Sequence, residues 1–355
     1  MKFICRLIPF VLFITMSSGL WGQNKQPVIE HFTVGNFKLS VYLPPAYDEN
    51  KTYKVLYFND GQTVFGPNGL NADGSANELI QQNLIEPLII VGIHSDENRT
   101  SNYVPYLDPS AILDFGDYLP NADKYSKRII KQIIPFIEKK YKTKPGNGIA
   151  GYSFGGLHAT WVALNFPDQF IFSGALSPSF WVNNFELFKE GSKAKTSQLY
   201  YFDIGTGEWN YYVPFLTHSN LPMLKNIFYY EEHGSKHQIE DWRGNRTRNI
   251  LILFAGKTDL SKYTWENKLE IIKSASSCKF YLRINPLITY SNGLIASISY
   301  AATFLLSNPT DGVVNKDGSF RFINPKELNV IVNYNGEEKT MVIKYAEVEK
   351  MKAGL

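Results

Sequence analysis

The stretch that decides the fold is Ile149-Ala150-Gly151-Tyr152-Ser153-Phe154-Gly155-Gly156, residues 149–156. It places a serine in the pattern Gly-x-Ser-x-Gly, between a short apolar segment and a helix-like run that ends near Phe166. A serine at a sharp strand-to-helix turn needs small residues two positions before and after it, because strand and helix pass close to each other there. We interpret Ser153 as a candidate nucleophile, and the alternative is an ordinary glycine-rich turn.

Strand-like and helix-like segments alternate on both sides of this stretch. Isoleucines at positions 129, 130, 133, 134 and 137 recur at helical spacing and predict a helix with one apolar stripe. Mostly apolar runs predict the buried strands of a mixed or parallel sheet. These runs lie at residues 53–58, 87–93, 172–176, 199–204 and 227–231. The alternation predicts a layered α/β domain.

The character of the chain changes after Gly256. Short strand-like runs follow one another, separated by turn dipeptides such as Asp317-Gly318. Asn335-Gly336, between two alternating runs, is a strong signal for a two-residue hairpin. Residues 257–355 are therefore predicted to form an all-β domain, a small immunoglobulin-like sandwich.

The N-terminus has the features of an export signal. Lys2 and Arg6 flank the start of an apolar run, Leu7 to Met16, and small residues follow it. The run has about ten residues, whereas a membrane span needs about twenty. We expect cleavage after Gly19 or Gly22, so residues 1–22 are a predicted signal peptide and the protein is predicted to be periplasmic or extracellular. The alternative is a buried N-terminal strand or helix.

The composition excludes several other classes. Of the 355 residues 44% are hydrophobic, and 36 Lys and Arg balance 33 Asp and Glu. A net charge of +3 does not argue for nucleic acid or an anionic membrane as a partner. Two cysteines, Cys5 and Cys278, cannot form a cysteine-based zinc site by themselves. We expect neither a metal nor a cofactor.

A serine nucleophile needs a histidine base, which is expected late in the domain, after the acid. His233 and His237 both follow the run at 227–231. We favour His237, because it lies past the turn Gly234-Ser235-Lys236, and His233 remains an alternative. Their spacing also fits a metal pair, but no third ligand is evident. The histidines that position in the chain disfavours are His31, His94, His158 and His218, the last in a predicted helix at about 213–225.

The acid is expected after the strand that precedes the histidine's strand. Asp203 and Glu208 flank Gly205-Thr206-Gly207 there. We favour Glu208, which lies past the turn in the loop, and Asp203 remains the alternative. An oxyanion hole needs two backbone donors. The candidates are the N–H of Phe154, next to the serine, and the N–H of Gln62, in the turn after an early strand.

The ordered set of motifs resembles the putative-esterase family of α/β-hydrolases, which includes enterochelin esterases and feruloyl and acetyl-xylan esterases. The resemblance covers roughly residues 35–254. The segments that carry it are Val41-Tyr42-Leu43-Pro44-Pro45, Val55-Leu56-Tyr57-Phe58-Asn59-Asp60-Gly61-Gln62, Ile134-Pro135-Phe136-Ile137, Ala150 to Leu157, Ala175-Leu176-Ser177-Pro178, Gly205-Thr206-Gly207-Glu208, Gly234-Ser235-Lys236-His237 and Trp242-Arg243.

The resemblance implies a three-layer α/β-hydrolase domain over residues 23–256. It also implies hydrolysis of carboxylic esters through an acyl-enzyme, with Ser153, Glu208 and His237 as nucleophile, acid and base. The implied substrate is a siderophore-type ester or a feruloyl or acetyl ester on a polysaccharide. The alternative function is a catalytically silent carbohydrate- or surface-binding protein on a hydrolase scaffold.

Overall fold

The computed structural model describes residues 26–208, 220, 226–256, 259–273 and 280–354. The predicted signal peptide lies outside the described residues. So do His218, Cys5 and Cys278, and all of the predicted helix at about 213–225 except Asn220.

A mixed sheet of eight strands forms the centre of the described chain. Its strands are β1 (Val28–Val34), β2 (Phe37–Leu43), β3 (Lys54–Asn59), β4 (Leu88–Ile93), β5 (Asn147–Tyr152), β6 (Phe170–Leu176), β7 (Leu199–Gly205) and β8 (Ile227–Glu232). Their spatial order is β1-β2-β4-β3-β5-β6-β7-β8. β2 pairs antiparallel with β1 and β4. The six strands that follow in the spatial order, β4-β3-β5-β6-β7-β8, run parallel to one another.

Helices cover both faces of this sheet. They are α1 (Ala72–Gln81), α2 (Arg99–Tyr103), α3 (Pro109–Phe115), α4 (Ala122–Arg128), α5 (Ile134–Lys140), α6 (Phe154–Asn165), α7 (Val182–Lys189), α8 (Ile239–Trp242) and α9 (Asn245–Ala255). A π-helical turn, Ile129–Ile133, joins α4 to α5, and short 3₁₀ turns lie at Gly61–Thr63 and Glu190–Lys193.

The strand β3 shows why its apolar run is continuous. Val55 and Tyr57 pack into one core cluster, together with residues of α6, while Leu56 and Phe58 pack into a second cluster with residues of α1 and α9. Side chains alternate between the two faces of a strand, so a strand covered on both faces must be apolar at every position. The predicted layered α/β architecture is confirmed.

The sequence-based prediction missed β1, because that strand does not look like a core strand. Its residues are half-buried or exposed, and it includes Glu30 and His31. It forms a hairpin with β2 in which Val34 pairs with Phe37. β1 lies at the edge of the sheet, so alternation of apolar and polar residues is weak there.

The C-terminal part of the chain adds two smaller sheets. Their strands are β9 (Tyr263–Lys273), β10 (Phe280–Tyr290), β11 (Ile295–Ser297), β12 (Thr303–Leu306), β13 (Gly312–Val314), β14 (Ser319–Phe322), β15 (Glu327–Tyr334) and β16 (Glu337–Lys344). β10 pairs with β9, β11 and β14, β13 pairs with β14, and β12, β15 and β16 form the three-stranded sheet. A helix, α10 (Tyr345–Ala353), follows.

These strands bear out the hairpin predicted at Asn335-Gly336. It joins β15 to β16, and both residues have positive φ, 51° and 83°. A third core cluster, which includes Trp265, Ile284 and Val330, lies among these strands. The extra β-sheets are as predicted, whereas their immunoglobulin-like arrangement stays a prediction.

The C-terminal strands contact the edge strand β8 of the central sheet. Glu231 of β8 forms a buried ion pair with Arg283 of β10, and its backbone N–H donates to Ser297 Oγ over 2.9 Å. Leu294 packs into the second core cluster of the central sheet. The division into residues 23–256 and 257–355 stays a prediction.

Candidate active site

Ser153 occupies a strained turn between β5 and α6. Its backbone angles are φ 54° and ψ −124°, a left-handed φ that L-residues rarely adopt. A Cβ atom on Gly151 would lie 2.5 Å from the carbonyl oxygen of Gly155. Position 151 therefore accepts only glycine without a shift of the backbone, which is the close approach expected from the Gly-x-Ser-x-Gly pattern.

The loop after β6 supports this turn. The N–H of Ser153 donates to the carbonyl of Leu176 over 3.0 Å, and the N–H of Ser179 donates to the carbonyl of Ser153 over 3.1 Å. The hydroxyls of Ser153 and Ser179 lie 3.3 Å apart. Ser179 is thus the hydroxyl neighbour of the candidate nucleophile.

Glu208 and His237 form a pair on two neighbouring loops. His237 Nδ1 lies 3.0 Å from Glu208 Oε2, and the two side chains are 30% and 7% exposed. An ionised carboxylate only accepts hydrogen bonds, so Nδ1 carries the proton and Nε2 keeps its lone pair. Burial alone would raise the pKa of Glu208, but the hydrogen bond from His237 and the charge of Arg246 hold that pKa below its ordinary value.

Backbone contacts fix these two loops against each other. The N–H of Gly207 donates to the carbonyl of Ser235 over 2.9 Å, and the N–H of Gly234 donates to Thr206 Oγ1, also over 2.9 Å. A Cβ atom on Gly205 would lie 2.0 Å from the carbonyl oxygen of Ser235. Gly205, the last residue of β7, therefore allows the loop that carries His237 to lie beside the loop that carries Glu208.

Aromatic side chains connect the pair to the serine turn. The rings of Tyr152 and Trp242 stack with centroids 4.5 Å apart, and the imidazole of His237 meets Trp242 edge-on at 5.1 Å. Among the described residues, no hydrogen bond joins Ser153 to His237. Catalytic hydrogen bonds are often long in unliganded enzymes and tighten when substrate binds.

The two alternative residues lie in different surroundings. Asp203 is fully buried, where it pairs with Arg246, accepts the Tyr201 hydroxyl over 2.8 Å and accepts the N–H of Ser177 over 3.0 Å. His233 lies in a cavity next to α10, about 610 Å³ in volume and lined by residues such as Ile271 and Met351. Within the described part of the chain, no hydrogen bond or ion pair joins either residue to Glu208 or His237.

The candidate oxyanion donors lie on the two expected elements. Phe154 is the first residue of α6, so its N–H has no acceptor within the helix. Gln62 lies in the 3₁₀ turn after β3, which Asp60 enters with a left-handed φ of 57°. The side chain of Gln62 is held by Ser95, whose hydroxyl accepts from Nε2 over 2.7 Å and whose N–H donates to Oε1 over 3.1 Å.

An ion pair between buried Asp60 and half-buried Arg99 anchors the turn that carries Gln62. Both carboxylate oxygens of Asp60 accept from Arg99, over 2.7 and 2.8 Å, and the N–H of Asp60 donates to the Tyr103 hydroxyl over 3.0 Å. His158, which position in the chain had disfavoured as a base, is buried behind this turn. It contacts Asn59 and Ser126, and burial lowers its pKa to about 3, so it stays neutral.

Sequence reasoning missed a buried arginine behind the pair. Arg246 forms the ion pair with Asp203, donates to Ser177 Oγ, and lies 3.7 Å from Glu208 Oε1. Its signal was available, since Arg246 shares a helical face with Asn249, Ile250 and Leu253, three buried residues. An arginine on an apolar stripe indicates a buried charge with a partner.

The described residues offer neither a metal site nor a membrane-spanning helix. No group of three or more His, Cys, Asp or Glu side chains is arranged to hold a metal ion there. No helix in the same part of the chain is long and apolar enough to cross a membrane.

Comparison with known proteins extends the resemblance seen in the sequence. The family model described as "Putative esterase" matches residues 32–283, which continues past Gly256 into β10. The uncharacterized protein YbbA of Bacillus subtilis is 31% identical over 164 residues, which cover 45% of this chain and 63% of YbbA. The chain thus matches somewhat less than two thirds of that relative's length.

Solved structures share the fold at low sequence identity. An IroE-like serine hydrolase from Shewanella oneidensis is 21% identical, with a TM-score of 0.54 over 64% of this chain and 80% of that one. The siderophore hydrolase EstA from Aspergillus nidulans is 16% identical, with a TM-score of 0.53 over 70% of this chain and 98% of that one. At these identities the likeness establishes the fold.

Proposed function

The chain belongs to the Esterase family, and we propose that it is a secreted serine esterase that hydrolyses carboxylic esters through an acyl-enzyme. In this proposal Ser153 is the nucleophile, His237 the base and Glu208 the acid that orients it. The N–H groups of Phe154 and Gln62 form the oxyanion hole. Carboxylic ester hydrolysis itself is supported by the family.

The observation that carries the proposal is the combination of a strained serine turn and a carboxylate–imidazole pair on the adjoining loops. Ser153 has φ 54° at the start of α6, and His237 Nδ1 lies 3.0 Å from Glu208 Oε2. Strained backbone angles cost about 1–3 kcal/mol each and cluster at active sites, which supports a functional role for this serine. The pair leaves Nε2 of His237 as the atom able to accept a proton.

The reaction follows from these positions. Ser153 Oγ attacks the ester carbonyl carbon while its proton passes to His237 Nε2. The negative charge on the carbonyl oxygen is stabilised by the two backbone N–H groups and by the N-terminus of α6. His237 then protonates the leaving alcohol, and water, deprotonated by the same nitrogen, releases the acid from Ser153.

The ester and the location are further parts of the proposal. A siderophore-type ester is supported by the fold shared with a siderophore hydrolase, and the feruloyl or acetyl ester of a polysaccharide by the sequence resemblance. Export through residues 1–22 is supported by the charged and apolar order at the N-terminus. The C-terminal strands are proposed to form an immunoglobulin-like sandwich around their own core cluster.

The test is hydrolysis of p-nitrophenyl acetate by the purified chain lacking residues 1–22. We expect turnover that Ser153→Ala reduces to background, and labelling of Ser153 by an organophosphonate probe. Ser179→Ala is the matched control, because its hydroxyl lies 3.3 Å from that of Ser153 but is not the proposed nucleophile. Turnover that survives Ser153→Ala would overturn the mechanism, and a folded protein without turnover would favour the catalytically silent binding protein.

A further inference from the structure

Arg246 reaches the loops that follow three parallel strands. Its side chain is fully buried in α9. It pairs with Asp203 at the end of β7, and it donates to Ser177 Oγ after β6 and to Ser235 Oγ after β8, the latter over 3.1 Å. The loops after β7 and β8 carry Glu208 and His237, so one cation lies behind both members of the proposed pair.

The hydroxyl of Ser177 connects this cation to Glu208. Ser177 Oγ accepts hydrogen bonds from Arg246 and from the indole N–H of Trp242, the latter over 2.9 Å. Both of its lone pairs are then in use, so its own proton must be donated, and it is donated to Glu208 Oε1. The N–H of Gly205 donates to the same oxygen over 2.7 Å.

These contacts give the two carboxylate oxygens of Glu208 different hydrogen-bond partners. Oε1 is held by Ser177 and Gly205, and Oε2 remains for His237. Asp203 is the carboxylate in direct contact with Arg246, whereas Glu208 lies 3.7 Å from the same cation and pairs with His237. An uncompensated charge could not be buried at this depth.

We propose that Arg246 is a positioning residue of the esterase site, which acts through Ser177 to keep Glu208 ionised and aligned on His237. This inference rests on the proposed function. Arg246 does not touch the reacting atoms. Asp203 is its counter-ion and takes no part in the chemistry.

The pH dependence of turnover distinguishes this role from a purely structural one. The charged and titratable groups around Glu208 are His237 and Arg246, and those around Arg246 include Asp203, Tyr201 and Glu232. Without the cation, Glu208 takes up a proton at higher pH, because the charge of Arg246 helps to lower the pKa of that carboxyl. The acid limb of kcat/KM should therefore move upward, since Arg246 lies 3.7 Å from Glu208 Oε1 and a nearby opposite charge favours the ionised carboxylate.

The experiment compares the wild type with the double variant Arg246→Met/Asp203→Asn, which removes the pair without leaving a lone buried charge. With p-nitrophenyl acetate as substrate, we expect kcat to fall on the order of tenfold, KM to stay the same and the acid limb to move. Arg246→Lys, which keeps the charge, should restore the position of the limb. The control is Arg283→Met/Glu231→Gln/Glu270→Gln, which removes another buried cation together with both carboxyls that face it, and which should lower the melting temperature and leave the limb in place.

A second variant keeps the test decisive if the double variant does not fold. Ser177→Ala removes the donor to Glu208 Oε1 and retains the ion pair, and it should lower kcat without changing KM. A folded Arg246→Met/Asp203→Asn or Ser177→Ala protein with wild-type kcat and an unmoved acid limb would overturn the positioning role alone. If the proposed function itself were wrong, and the inference with it, turnover would instead survive Ser153→Ala.

Discussion

A buried carboxyl at the contact between β8 and the C-terminal strands should make the stability of the protein depend on pH. Glu270 of β9 is 3% exposed and lies opposite Arg283 in the register of β9 and β10. Arg283 already pairs with Glu231, so one guanidinium serves two buried carboxyls. Within the described residues, Glu270 Oε2 and Glu231 Oε1 accept no hydrogen bond. Burial, reinforced by the charge of Glu231, raises the pKa of Glu270 from 4.5 to about 7.

The sign and size of the effect follow from this pKa. A group that holds its proton more tightly when folded contributes stability below its unfolded pKa, and that stability is lost as the pH rises through the folded pKa. For Glu270 the loss therefore begins near pH 4.5 and is complete a little above pH 7. At about 1.4 kcal/mol for each pH unit between the two values, it amounts to about 3 kcal/mol. For a domain of this size that corresponds to about 5–10 °C in melting temperature.

The assay is thermal unfolding followed by circular dichroism between pH 4.5 and 8.5, for the wild type and Glu270→Gln. Glutamine imitates the protonated carboxyl, so the two proteins should melt together near pH 5, and the variant should melt at the higher temperature near pH 8.5. Glu266→Gln, on an exposed position of the same strand, is the control and should follow the wild type throughout. Curves for the wild type and Glu270→Gln that stay parallel across the range would refute the reasoning.

Three further outcomes are expected. His237→Ala should lower kcat for p-nitrophenyl acetate by about 10³-fold or more. His233→Ala should have little effect on kcat, because the His233 side chain lies beside α10. The reverse result in steady-state assays would reassign the base. Glu208→Gln should lower kcat on the order of 10²-fold or more with little change in stability. Asp203→Asn should lower the free energy of unfolding by about 3 kcal/mol, because it leaves Arg246 without the carboxylate in direct contact with it. Denaturant titration together with kinetics separates the two effects, and equal losses of kcat would argue against Glu208 as the acid. Truncation after Gly256 should give insoluble or unfolded protein, because Ser297 accepts a hydrogen bond from the edge strand β8 and Leu294 packs into the second core cluster of the central sheet. A soluble, folded fragment with unchanged turnover would show that the C-terminal part is separable.

The parts of the molecule that were predictable are those in which neighbouring residues determine the local geometry. Gly151 and Gly155 flank Ser153 because strand and helix pass within contact distance, and this requirement is visible in five consecutive residues. The run Val55 to Phe58 predicts a strand buried on both faces because every position is apolar. Asn335-Gly336 predicts its hairpin because both residues tolerate the positive φ that the turn needs.

The parts that were not predictable depend on contacts between residues far apart in the chain. Position past the turn favours Glu208 over Asp203 in the sequence, but the ion pair that sets Asp203 apart is made by Arg246, about forty residues later. The turn at residues 234–236 likewise favours His237 over His233, but the sequence does not reveal that α10 lies beside His233 and a loop carboxylate beside His237. In both cases the surroundings that distinguish two nearby candidates are made by side chains that no local pattern connects to them.

The C-terminal strands cover the edge strand β8 of the central sheet. An uncovered edge strand presents unpaired backbone groups and invites association with other chains. Here Ser297 Oγ accepts the N–H of Glu231, and the Tyr300 hydroxyl donates to the carbonyl of Ile227 over 3.4 Å. β8 leads directly into the loop of Ser235 and His237, so whatever fixes β8 also fixes one side of the proposed site. The C-terminal strands therefore support the geometry of the His237 loop from outside the central sheet, through an edge that would otherwise be exposed.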